Sequence, residues 1–279
     1  MKKDTKKLIF FDIDGTLMSR QGVVEESTLT SLMKLKEAGH SIFLATGRNH
    51  FDVPKMVLKI GFRGLVLGDG AYVELDGKEL IHRTMDKKHV DRLSEAIEDG
   101  GGHLFYGGKD SGYITAYSRP HFETWVKELL KESPLWAEME NSITVVDDLK
   151  KVSDQKIEKI VYYDFKGNLK DLKQDFSENF MILPSNIADM SDESKGEITQ
   201  LGVTKAYGIE ILLAHLEETK ENMIAFGDGF NDIEMINLAK IGVAMGNGVP
   251  PLKDCADLIT APIGDGGIYK ALKELKLIV

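Results

Sequence analysis

Residues 8–17 read Leu8-Ile9-Phe10-Phe11-Asp12-Ile13-Asp14-Gly15-Thr16-Leu17. Four consecutive apolar residues that run straight into two aspartates describe a strand buried on both faces, with carboxylates at its end. In an open parallel sheet, that end is where ligands bind. Gly15 lets the chain turn sharply after Asp14 and brings backbone amides close to whatever the acids hold. Two carboxylates this near each other repel, so they require a cation, a proton or different roles. A plain turn built from Asp and Gly is the competing reading, although such a turn does not require Asp12 inside the apolar run. A calcium loop fits poorly, because its sixth and twelfth positions hold Leu17 and Val23 instead of glycine and an acid.

Outward from this segment the chain alternates. Ser27 and Thr28 are placed to cap a helix whose Leu29, Leu32, Met33 and Leu35 supply its apolar side, ending at Gly39. Residues 41–45 form a second apolar run that meets Thr46-Gly47-Arg48, a helical stretch from Phe51 to Ile60 carries Pro54 in its first turns, and Gly64 to Leu67 is a third strand. Strand, helix, strand, helix, strand is the pattern of a parallel sheet. From about His82 the rhythm becomes helices mixed with short strands: a helix near 88–98, strands near 103–106 and 113–117, a helix with Trp125, strands near 143–146 and 157–165, a helix at 169–176, and strands at 180–183 and 187–190. That rhythm describes an inserted α+β module. The core pattern resumes after Ser191, with a helix from Lys205 to Glu217, a strand at 223–226 breaking into Gly227-Asp228-Gly229-Phe230-Asn231-Asp232, and a strand at 241–245 ending in Gly246-Asn247-Gly248. The expected architecture is α/β, a doubly wound parallel-sheet core formed by 1–82 and 191–279, with an α+β domain over 83–190.

Composition narrows the function classes. A chain of 279 residues with 42% hydrophobic content can bury a proper core. A formal charge of −10 argues against general nucleic-acid binding, which relies on clustered Lys and Arg. The single cysteine, Cys255, has no disulfide partner and reads as a small packed residue. The apolar run behind the N-terminal lysines is too short for a secretory segment, which needs roughly 7–15 apolar residues. No stretch approaches the ~18 residues of a membrane span. The expectation is a soluble, cytoplasmic protein with no membrane partner; oligomeric state is not encoded legibly.

Several phosphate and metal motifs are absent. Gly68-Asp69-Gly70 and Gly246-Asn247-Gly248 begin G-x-G, but Val73 and Pro251 stand where the third glycine of a dinucleotide fingerprint belongs. His215 is followed by Leu216, unlike a zinc hydrolase helix. What remains is a carboxylate pair, a hydroxyl, a lysine and a second carboxylate pair in order along the chain, three of the four sets at strand ends. In that order, Asp12-Ile13-Asp14-Gly15-Thr16-Leu17, Thr46, Lys205 and Gly227-Asp228 with Asp232 resemble the four motifs of the haloacid dehalogenase superfamily. Only about thirty residues lie between Asp14 and Thr46, so the insertion falls between the second and third motifs, as in the Cof-type phosphatases. Val243 to Gly248 and Ala256-Asp257 are similar to that subfamily as well. Members commonly carry Asn-Gly-Ala after the third strand, where this chain has Asp69-Gly70-Ala71, a departure that bears on substrate preference.

The resemblance implies a Mg²⁺-dependent phosphatase acting on a small phosphorylated metabolite, such as a sugar phosphate, through an aspartyl-phosphate. It implies Asp12 as nucleophile and Asp14 as acid and then base. Mg²⁺ is expected on Asp12, the backbone carbonyl of Asp14, and Asp228, with Asp232 and Asn231 either orienting these groups or ligating directly. Thr46, Lys205 and backbone amides near Ile13 and Gly47 are expected to hold the phosphoryl oxygens, and Arg48 and Asn231 to contact the substrate. Tyr106, the 107–112 turn, Tyr113, His121 and Trp125 are candidate selectivity positions in the inserted cap, which is expected to close over the site. A phosphomutase of the same superfamily and a non-enzymatic sensor of phosphorylated metabolites are the alternatives.

Overall fold

The computed structural model describes residues 6–19, 21–130, 135–152, 155–184 and 193–279. The first part of the chain supplies β1 (Leu8–Phe11), α1 (Glu26–Glu37), β2 (Ser41–Ala45), α2 (Lys55–Leu58), β3 (Gly64–Leu67), β4 (Tyr72–Leu75) and β5 (Lys78–His82). The middle supplies α3 (Lys87–Asp99), β6 (His103–Gly108), β7 (Gly112–Thr115), α4 (Arg119–Leu130), α5 (Leu135–Glu140), β8 (Ile143–Val146), β9 (Ile157–Tyr163), α6 (Leu169–Asp175), β10 (Phe180–Pro184) and β11 (Gly196–Gln200). The last part adds α7 (Lys205–His215), β12 (Met223–Gly227), α8 (Ile233–Leu238), β13 (Ile241–Ala244), α9 (Pro250–Cys255), β14 (Leu258–Ile259) and α10 (Gly267–Glu274). Among the described residues no helix is long and apolar enough to cross a membrane.

The chain divides into two units, one of residues up to Gly47 with Pro54–Ile81 and Thr204–Val279, the other of Arg48–Val53 with His82–Val203. The first unit holds an eight-stranded sheet in the order β14-β13-β12-β1-β2-β3-β4-β5. From β14 across to β3 all pairs are parallel, and β4 returns antiparallel to β3. β1 is flanked by β12 on one side and β2 on the other, so the winding reverses beside it, and the crevice at its carboxyl end is the site such sheets use. Both β1 and β12 are buried along their whole length. Phe10 stacks on Phe43 at 4.7 Å and Phe11 on Phe226 at 5.0 Å between ring centroids, pinning the register of three strands.

The second unit holds a six-stranded sheet in the order β10-β11-β9-β6-β7-β8, antiparallel except for the β7–β8 pair. α3 and α6 pack their apolar sides into one cluster with Leu104, Tyr106, Ile160 and Tyr162, while Phe122 and Val126 of α4 join Phe105, Ile114 and Tyr163. Period-two alternation along β6 and β9 sends neighbouring residues to these two clusters. Glu158 is buried here: Asn49 Nδ2 donates to its Oε2 at 2.6 Å and His82 Nε2 lies 2.6 Å from its Oε1. Asn49 and His82 stand in the two segments where the chain enters this unit.

Four expectations need correction or placement. The helix expected from Phe51 to Ile60 is broken: 50–52 form a single 3-10 turn and α2 begins only after Pro54, because proline forces Val53 into an extended conformation. In α1 the N-cap is Glu25 and the buried face is Thr28, Ser31, Leu32 and Leu35, whereas Leu29 and Met33 are 39% and 61% exposed. The return to the first unit expected at 191 lies at Thr204, since β11 pairs with β9 and β10. The strand expected at 187–190 lies outside the described residues. The β4–β5 hairpin was signposted by Asp76-Gly77, whose φ values of +49° and +77° are those a two-residue type I′ turn requires.

Candidate active site

Asp12 and Asp228 follow directly on β1 and β12, adjacent parallel strands, so both reach the same edge of the sheet. The turn after Asp12 is tight: Ile13 carbonyl accepts from the amides of Thr16, Leu17 and Met18, and the amide of Gly15 donates to Met18. Asp14 is exposed within this turn, whereas Asp12 is buried. Gly15 has φ +82°, and a Cβ there would lie 2.1 Å from Asp228 Oδ2, so the glycine is required both by conformation and by space. Thr16 Oγ1 donates to Asp228 Oδ1 at 3.0 Å and Asn247 Nδ2 to the Gly15 carbonyl at 2.8 Å. These bonds join the loops after β1, β12 and β13.

Lys205 is the first residue of α7 and is completely buried. Its position depends on two glycines. A Cβ on Gly70 (φ +100°) would lie 2.1 Å from the Thr204 carbonyl, and one on Gly208 would lie 2.5 Å from Val66 Cγ1. The helix start therefore rests directly on the end of β3, with Thr204 capping it through a bond from the Tyr207 amide. From there Lys205 Nζ donates to Asp12 Oδ1 at 2.7 Å and to Asp232 Oδ1 at 2.6 Å. Asp232 Oδ2 accepts the amides of Asp228 and Gly229, both at 2.9 Å, so both of its oxygens are engaged.

Thr46 is buried at the end of β2, its amide bonded to Val66 and its carbonyl to the Asp69 amide. Asn231 Nδ2 donates to Asp69 Oδ1 at 2.8 Å, and a Cβ on Gly47 would press on both side chains at 3.0–3.1 Å. Asp69 itself is buried with φ +53°, a left-handed conformation that Asp tolerates better than most residues. The acid that departs from the family pattern thus holds Asn231. Arg48 belongs to the second unit and bonds Asp52 through both its carbonyl and its carboxylate, an i,i+4 pair that sequence reading did not anticipate. In that unit Tyr106 is buried and bonded to Ser94, a packing role; Tyr113 sits on β7, next to the Gly107–Gly112 pairing of β6 and β7, and His121 is bonded to Asp164. Trp125 lies in α4.

One ligand oxygen of each of Asp12, Asp228 and Asp232 lies within 4.8 Å of the others. Burial pushes Asp12 well above the carboxylate range; Lys205 pulls it back, and Asp232, Asp228 and Asp14 push the same way as burial. Burial followed by the Asp232 charge raises Asp228 to about 7, against Thr16 and Lys205. Burial works against the Lys205 charge too, yet Asp12 and Asp232 hold its ammonium above its ordinary range. Among the described residues, Lys205 bonds two of the three clustered carboxylates, Asp12 and Asp232. The donor set is entirely oxygen, which suits a hard divalent cation such as Mg²⁺. Of the three, Asp232 is engaged through both oxygens, by Lys205 and by two amides.

Sequence reading singled out the acids, Thr46 and Lys205, and Gly70 only as part of the Asp69-Gly70-Ala71 turn, but not Gly208 or Thr204, which with Gly70 deliver the lysine. An isolated glycine inside a helical stretch was the available signal for Gly208.

A family model for haloacid dehalogenase-like hydrolases matches residues 9–272. Among similar proteins, "Putative phosphatase YkrA" of Bacillus subtilis (strain 168) is 29% identical over 273 residues, covering 98% of each chain. "HMP-PP phosphatase" of Yersinia enterocolitica serotype O:8 is 28% identical, covering 88% of this chain and 86% of its own. The solved structure of the HAD subclass IIB sugar phosphatase BT4131 superposes with a TM-score of 0.82 at 25% identity, over 98% of this chain and all of the other. The chain belongs to the haloacid dehalogenase-like hydrolases.

Proposed function

We propose that this haloacid dehalogenase-like hydrolase is a Mg²⁺-dependent phosphatase that hydrolyses a small phosphate monoester, a sugar phosphate or a related metabolite. The observation that carries the reading is the buried Lys205 ammonium, bonded at once to Asp12 and Asp232 beside Asp228 at the carboxyl edge of the sheet. Phosphoryl transfer is a matter of positioning and charge compensation more than of covalent chemistry, and this cluster is organised for both.

Asp12 attacks the phosphorus in line and forms an aspartyl-phosphate; the ester P–O bond breaks and its electron pair leaves with the alcohol oxygen. Asp14, exposed on the turn, protonates that oxygen and afterwards takes a proton from the attacking water, which releases inorganic phosphate. Lys205 opposes the rise that burial imposes on Asp12 and offsets the phosphoryl charge. Thr46, with backbone amides near Ile13 and Gly47, holds the phosphoryl oxygens. Asp232 fixes Lys205 and the start of the Asp228 loop, and Asp69 fixes Asn231, which reaches the substrate; Arg48 is a further candidate for substrate contact. The Mg²⁺ that Asp12, Asp228 and the Asp14 carbonyl would hold supplies positive charge at the transferring group. Relatives named for HMP-PP and sugar phosphatase activity support a small-metabolite substrate, and substrate selection is assigned to the second unit. A cytoplasmic location belongs to the same reading.

The test is phosphate release across sugar phosphates, nucleotides and pyridoxal phosphate with Mg²⁺, with Asp12→Asn as the blank. Turnover by Asp12→Asn equal to that of the unmodified protein would overturn the assignment. Phosphate retained on the organic product would show transfer in place of hydrolysis.

A further inference from the structure

We infer that His103, His121 and Asp164, in the second unit, form a separate site for a late first-row divalent cation of the Zn²⁺ class. The residues come from three elements. His103 opens β6 and pairs with Tyr163 of β9, Asp164 follows β9 directly, and His121 lies in the first turn of α4. One ligand atom of each lies within 4.8 Å of the others.

One feature favours a metal over an incidental surface cluster: His103 is buried and held in a fixed orientation. His121 Nδ1 and Asp164 Oδ2 are 3.2 Å apart, a hydrogen-bonded pair that keeps Asp164 within reach of the ring. His103 is 6% exposed, and its Nδ1 is paired with Ser118 Oγ at 3.1 Å. Ser118 is itself held, its amide by Thr115 Oγ1 at 3.1 Å and its carbonyl by Tyr163 Oη at 3.0 Å. A histidine fixed through one nitrogen presents the other to a ligand in a set orientation. His103 also stacks on Tyr163 at 5.4 Å, which holds the ring plane. The His121–Asp164 pair, by contrast, is about half exposed, where an ion pair adds little to stability.

Two imidazoles and one carboxylate suit Zn²⁺, Co²⁺, Ni²⁺ or Cu²⁺ and not Mg²⁺. The two clusters therefore sort metals by donor type, hard oxygen at Asp12 and Asp228, nitrogen-rich here. His103 and His121 are stacked at 4.1 Å with 27° between their planes, an arrangement in which the ring lone pairs do not converge. Binding requires His121 to turn out of the stack, which its exposure permits. A bound ion would clip the start of α4 to the β6–β9 pair.

Co²⁺ titrated into the full chain in excess Mg²⁺, read by the visible absorption of tetrahedral Co²⁺, tests the site, with Zn²⁺ competition to confirm the class. One saturable equivalent is expected, retained in the Asp12→Asn, Asp228→Asn double variant. His121→Ala, at an exposed position, and Asp164→Asn, at a half-buried one, should each weaken it by more than tenfold, and Ser118→Ala by about tenfold. No saturable Co²⁺, equal affinity in the His121 and Asp164 variants, or loss of binding in the double variant would each overturn the proposal.

Discussion

Lys205 Nζ lies 2.6 Å from Asp232 Oδ1, and both side chains are fully excluded from solvent. The lysine also holds Asp12 at 2.7 Å, so it is a cation that two buried carboxylates share. Removing one member of such a buried set strands the charges of the others, whereas replacing a whole set by apolar groups can be neutral. Lys205→Met is expected to lower unfolding free energy by about 3–5 kcal/mol and to abolish phosphate release. Urea unfolding followed by circular dichroism checks the first, and a value within 1 kcal/mol of the unmodified protein would contradict it.

Asp12→Asn keeps the shape of the side chain and the Asp232 partner of Lys205, but removes the nucleophile. The variant is expected to remain folded with a cooperative thermal transition while phosphate release falls to background. Asp14→Asn should slow both ester cleavage and release of phosphate from the enzyme, which single-turnover and steady-state assays separate.

Gly70 is the point at which α7 meets β3. Gly70→Ala combines a left-handed backbone angle of +100° with a Cβ 2.1 Å from the Thr204 carbonyl. The substitution is expected to cost about 1–3 kcal/mol and to lower turnover by displacing Lys205. Gly77 also has positive φ, at +77°, yet a Cβ there meets nothing within 4 Å. Gly77→Ala therefore carries only the conformational term and should leave turnover untouched.

Metal-free protein should show a distinctive pH dependence. Asp228 is raised to about 7 in the folded state, from roughly 3.9 when unfolded. Between those values the folded state binds more protons than the unfolded one, so this group's stabilising contribution is present at low pH and declines as pH rises through 7. Asp12 is raised also and acts in the same direction. Melting temperature measured in chelator should therefore contain a component that falls from pH 4 to 7. Added Mg²⁺ should remove it, and Asp228→Asn should reduce it. An identical profile with and without Mg²⁺ would count against the carboxylates as the metal site.

Much of this molecule is readable along the chain. Strands buried on both faces appear as unbroken apolar runs, so β1, β2, β3, β12 and β13 are visible as such, and each ends in a polar turn because the sheet edge must be solvated or hold a ligand. Asp12, Asp14, Thr46, Lys205, Asp228 and Asp232 stand out by residue type and order. Strands whose apolar runs are interrupted by polar residues carry weaker patterns: Glu74 breaks β4, Lys78 and Glu79 open the exposed β5, and Glu197 and Thr199 break β11, and without β11 the expected unit boundary falls at 191 instead of 204.

What the chain alone determined is the inventory of charges and where they fall relative to strand ends, because those depend on local polarity and period. What only the tertiary structure decided is how those charges compensate one another. Residues 193 positions apart, Asp12 and Lys205, meet at 2.7 Å because Gly70 and Gly208 let a helix start rest on a strand end. Asp69 holds Asn231 across 162 positions, and His103, His121 and Asp164 converge through strand pairing. Such encounters depend on packing at the ångström scale among elements remote in sequence, and no local pattern carries that distance.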